Sequence, residues 1–269
     1  MCGMAHIIFT MPKSTANAKP KSGVGSRKLS SLLGFDERWR ARFPDPESVV
    51  IIGCDEVGRG CLAGPVVASA VILPDVRANR KLYASLRALD DSKKLLPETR
   101  EKLSATLSKH ASVAVGQASP TEIDEINILQ ASLLAMKRAL HALLEASPQK
   151  VDRVVILIDG NKAIKDIPQT QVTVVQGDTL SASIAAASVV AKVFRDRLMA
   201  ELAEQFPDYC WQQNKGYGSK THRDAIERVG VSPWHRLSFS LGQELDEEML
   251  EEMAEELADD MQLQIELKS

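Results

Sequence analysis

The chain has 269 residues, 44% apolar and 26% charged, enough to bury one full core or two small ones. No run nears the ~18 consecutive apolar residues of a membrane helix, and the four cysteines (Cys2, Cys54, Cys61 and Cys210) form no CxxC pair, which argues against a membrane protein, a zinc module and a disulfide scaffold. The net charge of −3 splits into −10 on residues 242–269 and +7 on the rest, a modestly basic body that permits a polyanionic partner.

Residues 1–35 carry five bases and no acid, are rich in Ser, Lys, Ala and Gly, and are expected to form a disordered basic extension. A short helix is expected over 36–47. The succession Val49, Val50, Ile51, Ile52 predicts a buried strand over 49–54, and 65–73 predicts a second. The glycine-containing bend between them predicts a hairpin. A helix over 97–110 opens on Pro97, and a third strand follows over 111–117. Residues 121–146 read as helix in two pieces. RVVILI over 153–158 is a buried strand and 172–175 a shorter one. Long helical patterns follow over 183–206 and 221–229. In the tail, Leu245, Met249, Met253, Leu257 and Met261 stand four apart and predict an acidic amphipathic helix over 241–269. The pattern is α/β: a mixed sheet flanked by helices, with a helical C-terminal region. One globular domain with a helical C-terminal part is expected over 36–240. The thiols are read as free, in the reducing cytoplasm, and the chain as a monomer.

Four acids stand at the exits of hydrophobic runs: Asp55 and Glu56 after VVIIGC, Asp159 after VVILI, and Asp178 after VTVVQG. Neighbouring strand residues point to opposite faces, so the bend at Gly58 must turn one of the first pair. Converging carboxylates repel and raise one another's pKa unless a cation sits among them. Hard divalent ions such as Mg²⁺ take oxygen ligands, and two of them ~3.5–4 Å apart clamp the attacking and leaving oxygens of a phosphodiester displacement.

Several blocks carry a family resemblance. GCDEVGRGCLAGPVVASAVIL (53–73), DSKKL (91–95), VVILIDGN (154–161), QGD (176–178), SIAAASVVAKVFRD (183–196), KGYGSKTH (215–222) and HRLSF (235–239) occur in the order found in bacterial ribonuclease HII. The chain resembles that family over roughly residues 49–240. The resemblance implies a ribonuclease H-like fold, hydrolysis of the RNA strand of RNA/DNA hybrids, and incision beside single ribonucleotides in duplex DNA. It places a Mg²⁺ or Mn²⁺ two-metal site on Asp55, Glu56, Asp159 and Asp178, the four acids the strand exits select. It puts a ribonucleotide-sensing loop on Gly58, Arg59 and Gly60, where a glycine lets backbone groups reach a 2′-OH. The family's sugar-packing aromatic falls on Tyr217. Lys93, Lys94, Lys192 and Arg195 are candidate phosphate contacts, the last two sharing a helix face at i, i+3. Val57 is shared with the sister enzyme ribonuclease HIII, which cuts long hybrids. A non-catalytic hybrid binder is the rival of another class, but would gain nothing from repelling carboxylates beside phosphate.

Overall fold

Hydrophobic runs fill the centre of a five-stranded sheet. The computed structural model describes residues 24–90, 92–146 and 153–241, so the expected acidic tail helix lies outside the described residues from 242 on. In chain order the elements are α1 (Val24–Arg40), β1 (Val49–Val57), β2 (Val66–Ile72), α2 (Arg80–Ser85), α3 (Pro97–His110), β3 (Ser112–Ala118), α4 (Pro120–Ile126), α5 (Ile128–Ala146), β4 (Arg153–Asp159), β5 (Thr170–Val174), α6 (Ala182–Gln205), α7 (Trp211–Asn214) and α8 (Lys220–Val229).

The strand order is β3-β2-β1-β4-β5. β1 pairs antiparallel with β2, as the hairpin expectation required, and β2 pairs antiparallel with β3. β1 and β4 run parallel, as do β4 and β5. A strand covered on both faces reads as a continuous apolar run, and β1 shows this. Val49 and Ile51 pack toward Ile184 of α6 on one face, while Ile52 and Cys54 pack toward Ala135 and Leu140 of α5 on the other. α6 crosses β1 at close range, because a Cβ on Gly53 would overlap the backbone of Ser183. That closeness needs small residues, and α6 opens on Ala182, Ser183, Ile184, Ala185, Ala186 and Ala187, all buried.

Two expectations need correction. β1 does not end at Cys54: it runs to Val57, so Asp55 and Glu56 lie inside the strand. The antiparallel partner β2 extends it, with Asp55 opposite Ser69 and Glu56 opposite Ala68. The basic segment 1–35 was expected to be disordered throughout, yet α1 begins at Val24 and its Leu29, Leu32 and Leu33 are buried against Val189 and Ala186 of α6. The i, i+3, i+4 spacing of those leucines makes an apolar stripe that the polar composition around it masks. Residues 1–23 lie outside the described residues. At the far end of α6, Met199, Leu202 and Ala203 join Tyr209, Trp211 and Ala225 in a second small core, with Tyr209 and Trp211 stacked 5.0 Å apart. No described helix is long and apolar enough to cross a membrane. Cys54, Cys61 and Cys210 are free, as expected.

Candidate active site

The parallel register of β1 and β4 ends at Cys54 opposite Ile158, so Asp55 and Asp159 follow side by side on adjacent strands. Alternation turns Asp55 toward α6, and Glu56 lies on the other side at the strand's end. Asp159, the last residue of β4, accepts a hydrogen bond from the N–H of Gly177 at 2.6 Å. That bond ties it to the turn Gly177–Thr179, which carries Asp178. All four acids line one cleft of about 200 Å³.

Burial pushes the Asp55 carboxyl well above the usual carboxylate range, and Asp159, Glu56 and Asp178 push in the same direction. Only 5% of Asp55 is exposed, and the hydroxyl of Ser188 and the N–H of Glu56, the latter at 2.7 Å, bond to its carboxyl. The four acids therefore share one unfavourable negative field. Among the described residues, no three His, Cys, Asp or Glu side chains yet close on a single point as a ligand set. The donor set nonetheless fits a hard divalent cation: it is all oxygen, partly desolvated, and its mutual repulsion is the energy that a cation would relieve.

The same cleft brings in Gly58, Arg59 and Tyr217. Gly58 has φ +90°, and a Cβ there would strike the guanidinium of Arg195 beneath it. Arg59 lies 3.6 Å from Glu56 as an ion pair. Gly60 is buried behind the lining. The loop carrying Tyr217 is stitched to the 58–64 loop, since the N–H groups of Leu62 and Ala63 donate to Gly216 O at 2.8 and 3.2 Å.

The ribonuclease HII family model matches residues 52–241. A ribonuclease HII of Paramagnetospirillum magneticum is 49% identical over 191 residues, covering 71% of this chain and 90% of that protein. The chain belongs to the ribonuclease HII family. Membership makes it a metal-dependent ribonuclease H hydrolase. Among solved structures, the PCNA:RNase HII complex from Archaeoglobus fulgidus is similar at TM-score 0.56 and 25% identity, covering 74% of this chain and 99% of that one. A Bst-RNase HIII structure in complex with Mn²⁺ shares the fold at TM-score 0.57 and 17% identity, covering 91% of this chain and 76% of that one.

The basic residues selected with the ribonuclease HII motifs divide in the structure. Lys93 lines the cleft from a turn that Arg100 holds by donating to Ser92 O and Leu95 O at 2.9 and 2.6 Å. Lys192 also lines it, 7% exposed, with Asp196 at 3.4 Å and the Tyr217 ring centroid at 5.9 Å. The side chain of Lys94 lies outside the described residues, as does Asp91. Arg195 does not reach the cleft, contrary to expectation. It is fully buried, and its guanidinium donates to Pro65 O, Lys215 O and Ala63 O at 3.0, 2.9 and 3.0 Å. Three residues along a helix is a rotation of about 60° short of a full circle, enough to put Lys192 in the cleft and Arg195 under the loop.

Sequence reasoning missed several supports of this ribonuclease HII site. Ser188 bonds Asp55 and also meets the Ser92 hydroxyl at 2.8 Å. His222 and His235 sit behind Tyr217, their Nε2 atoms 3.1 Å apart. The Ser232 N–H can only donate to His235 Nδ1, so the His235 proton is on Nε2. The Tyr217 carbonyl can only accept from His222 Nδ1, at 2.8 Å, which leaves His222 Nε2 to accept from His235 and from Trp211 Nε1. Burial lowers the pKa of both, that of His222 to about 4. Both residues lie within matched motifs, but nothing in their spacing signals that they face each other.

Proposed function

We propose that this chain is an endoribonuclease that hydrolyses the RNA strand of RNA/DNA hybrids and incises 5′ of single ribonucleotides in duplex DNA, in ribonucleotide and RNA-primer removal. The observation that carries this reading is the single cleft shared by the four acids, Gly58, Arg59 and Tyr217. The acids do the cutting and the other three select where.

Asp55, Glu56, Asp159 and Asp178 would hold two divalent cations, Mg²⁺ or Mn²⁺. Bound there, such ions supply activation of the attacking water and stabilisation of the leaving 3′-oxygen. Water adds to phosphorus and the bond to the 3′-oxygen breaks, giving 5′-phosphate and 3′-hydroxyl ends. The 2′-OH is then a recognition element and not the nucleophile. The glycine-bounded loop at Gly58 lets backbone groups approach it, and the Tyr217 ring packs on the sugar. Lys93 and Lys192 position phosphates without reading sequence, so affinity falls steeply with salt.

A duplex with one embedded ribonucleotide tests the reading. Wild type should cut it in Mg²⁺ or Mn²⁺, and Asp55→Asn should be slower by about a thousandfold, the scale of several kcal/mol of lost charge stabilisation. Equal cutting by both proteins would remove the acids from the mechanism. Cutting of long hybrid alone would favour the ribonuclease HIII-like activity, and tight binding with no cutting in any divalent metal would favour a pure hybrid binder.

A further inference from the structure

Two arginines are completely buried beneath the loop that lines the cleft, and the reaction itself uses neither. Arg195 donates to the carbonyls of Ala63, Pro65 and Lys215. Arg236, in the HRLSF block, donates from all three nitrogens to carbonyls of the 58–64 loop: Nη2 to Gly58 O at 2.6 Å, Nη1 to Arg59 O at 2.7 Å and Nε to Gly64 O at 3.0 Å. Its backbone N–H donates to Leu62 O at 2.9 Å. One residue thus fixes four carbonyls of a seven-residue loop from below.

The direction of those carbonyls has a consequence for the other side of the loop. In a trans peptide the C=O of one residue and the N–H of the next point opposite ways, and no described peptide here is cis. With Gly58 O and Arg59 O turned to the guanidinium, the N–H groups of Arg59 and Gly60 point away from it. Gly58 and Arg59 line the cleft, and Arg236 does not. Arg236 is itself held from the flank. The Asp124 carboxylate accepts from the N–H of Leu237 at 2.9 Å, and from the N–H and hydroxyl of Ser238 at 2.9 and 2.6 Å, anchoring the 236–238 segment to α4.

We infer that Arg236 is a positioning residue for ribonucleotide selection: its three-way carbonyl clamp fixes the orientation of the 58–60 peptides, and so of the donors offered to the 2′-OH. Asp124 braces the clamp from α4. This rests on the proposed reading that residues 58–60 sense the 2′-OH. A lysine cannot replace it, because an ammonium on a flexible stem lacks the rigid planar fork that reaches three separated carbonyls.

The test compares Arg236→Lys and Asp124→Ala with wild type, each first checked for folding by thermal melting. Two readouts are taken: the ratio of kcat/KM for an embedded-ribonucleotide duplex to that for a long RNA/DNA hybrid, and, in EDTA, binding of the embedded-ribonucleotide duplex relative to the same duplex in all-DNA form. Folded Arg236→Lys should lose about ten- to a hundredfold in the cleavage ratio, the scale expected for a misplaced group, and most of the binding preference. Binding to all-DNA duplex should stay at the wild-type level. Asp124→Ala should move both readouts the same way by a smaller amount. It carries the test if Arg236→Lys does not fold, since it leaves the buried guanidinium in place. Wild-type ratios in the folded variant, or in Asp124→Ala where only that folds, would overturn the inference. A wild-type protein that does not prefer the embedded ribonucleotide over DNA would instead overturn the reading beneath it.

Discussion

At the scale of single residues, the cleft combines groups that repel with groups that hold them in place. Asp55 feels burial and three neighbouring acids at once, and Ser188 and the Glu56 N–H keep it there. The Tyr217 backbone is held from behind: the His222 Nδ1–H donates to its carbonyl, and His235 supports His222. Tyr217 is only 8% exposed, so a variant here is first checked for folding by thermal melting. Tyr217→Ala should lower kcat/KM for an embedded ribonucleotide by about ten- to a hundredfold, the worth of one aromatic stacking contact, while long hybrid is cut at nearly the wild-type rate. The histidine pair predicts a pH dependence. His222 is depressed to about 4 by burial, so the unfolded chain binds its proton first. Its contribution to stability is complete above about pH 6.5 and drains as pH falls toward 4, by on the order of 3 kcal/mol. Urea unfolding of wild type and His222→Gln should show a stability difference that shrinks over that window. A difference constant with pH would mean that the pair is not neutral in the fold.

At the scale of elements, α6 carries the arrangement. Its first turn lies against β1 at Gly53, two residues before Asp55, and its N-cap Ser181 donates its N–H to Gly177 O at 2.7 Å, next to Asp178. That turn is held by α1. The carboxylate of Asp36 accepts from the hydroxyls of Ser181 and Ser183 and the N–H of Ser183 at 2.6, 2.8 and 2.9 Å, and burial lifts its pKa to about 6. Asp36→Ala leaves buried donors without an acceptor and should cost about 1–3 kcal/mol of unfolding free energy, read by urea melts at constant pH. No loss would mean that α1 is an appendage, as the composition of residues 1–35 suggests. The contrast explains what was legible. Strands β1, β2 and β4 were readable because runs buried on both faces have no polar alternation to confuse them. α1 was not, because three leucines make a stripe only after the backbone winds. The extension of β1 through Asp55 and Glu56 was hidden too, since two acids read as the end of a strand when the partner that continues it is unseen.

At the scale of the whole molecule, chemistry was more legible than support. The four acids follow apolar runs with glycines nearby, which marks them in the sequence, and parallel register brings Asp55 beside Asp159. Arg195 and Arg236 carry the same side chain as any surface arginine, and only the folded chain shows them turned inward beneath the 58–64 loop. The modestly basic charge of residues 1–241 permits a polyanionic partner, as the proposed function requires. The most direct measurement maps the cut in a duplex carrying one ribonucleotide, labelled at the 5′ end of that strand, with wild-type protein in Mg²⁺, Mn²⁺ and EDTA. One cut 5′ of the ribonucleotide is expected, leaving 3′-hydroxyl and 5′-phosphate ends, in either metal and none in EDTA. Cleavage in EDTA, or a product ending in a 2′,3′-cyclic phosphate, would contradict the proposed function.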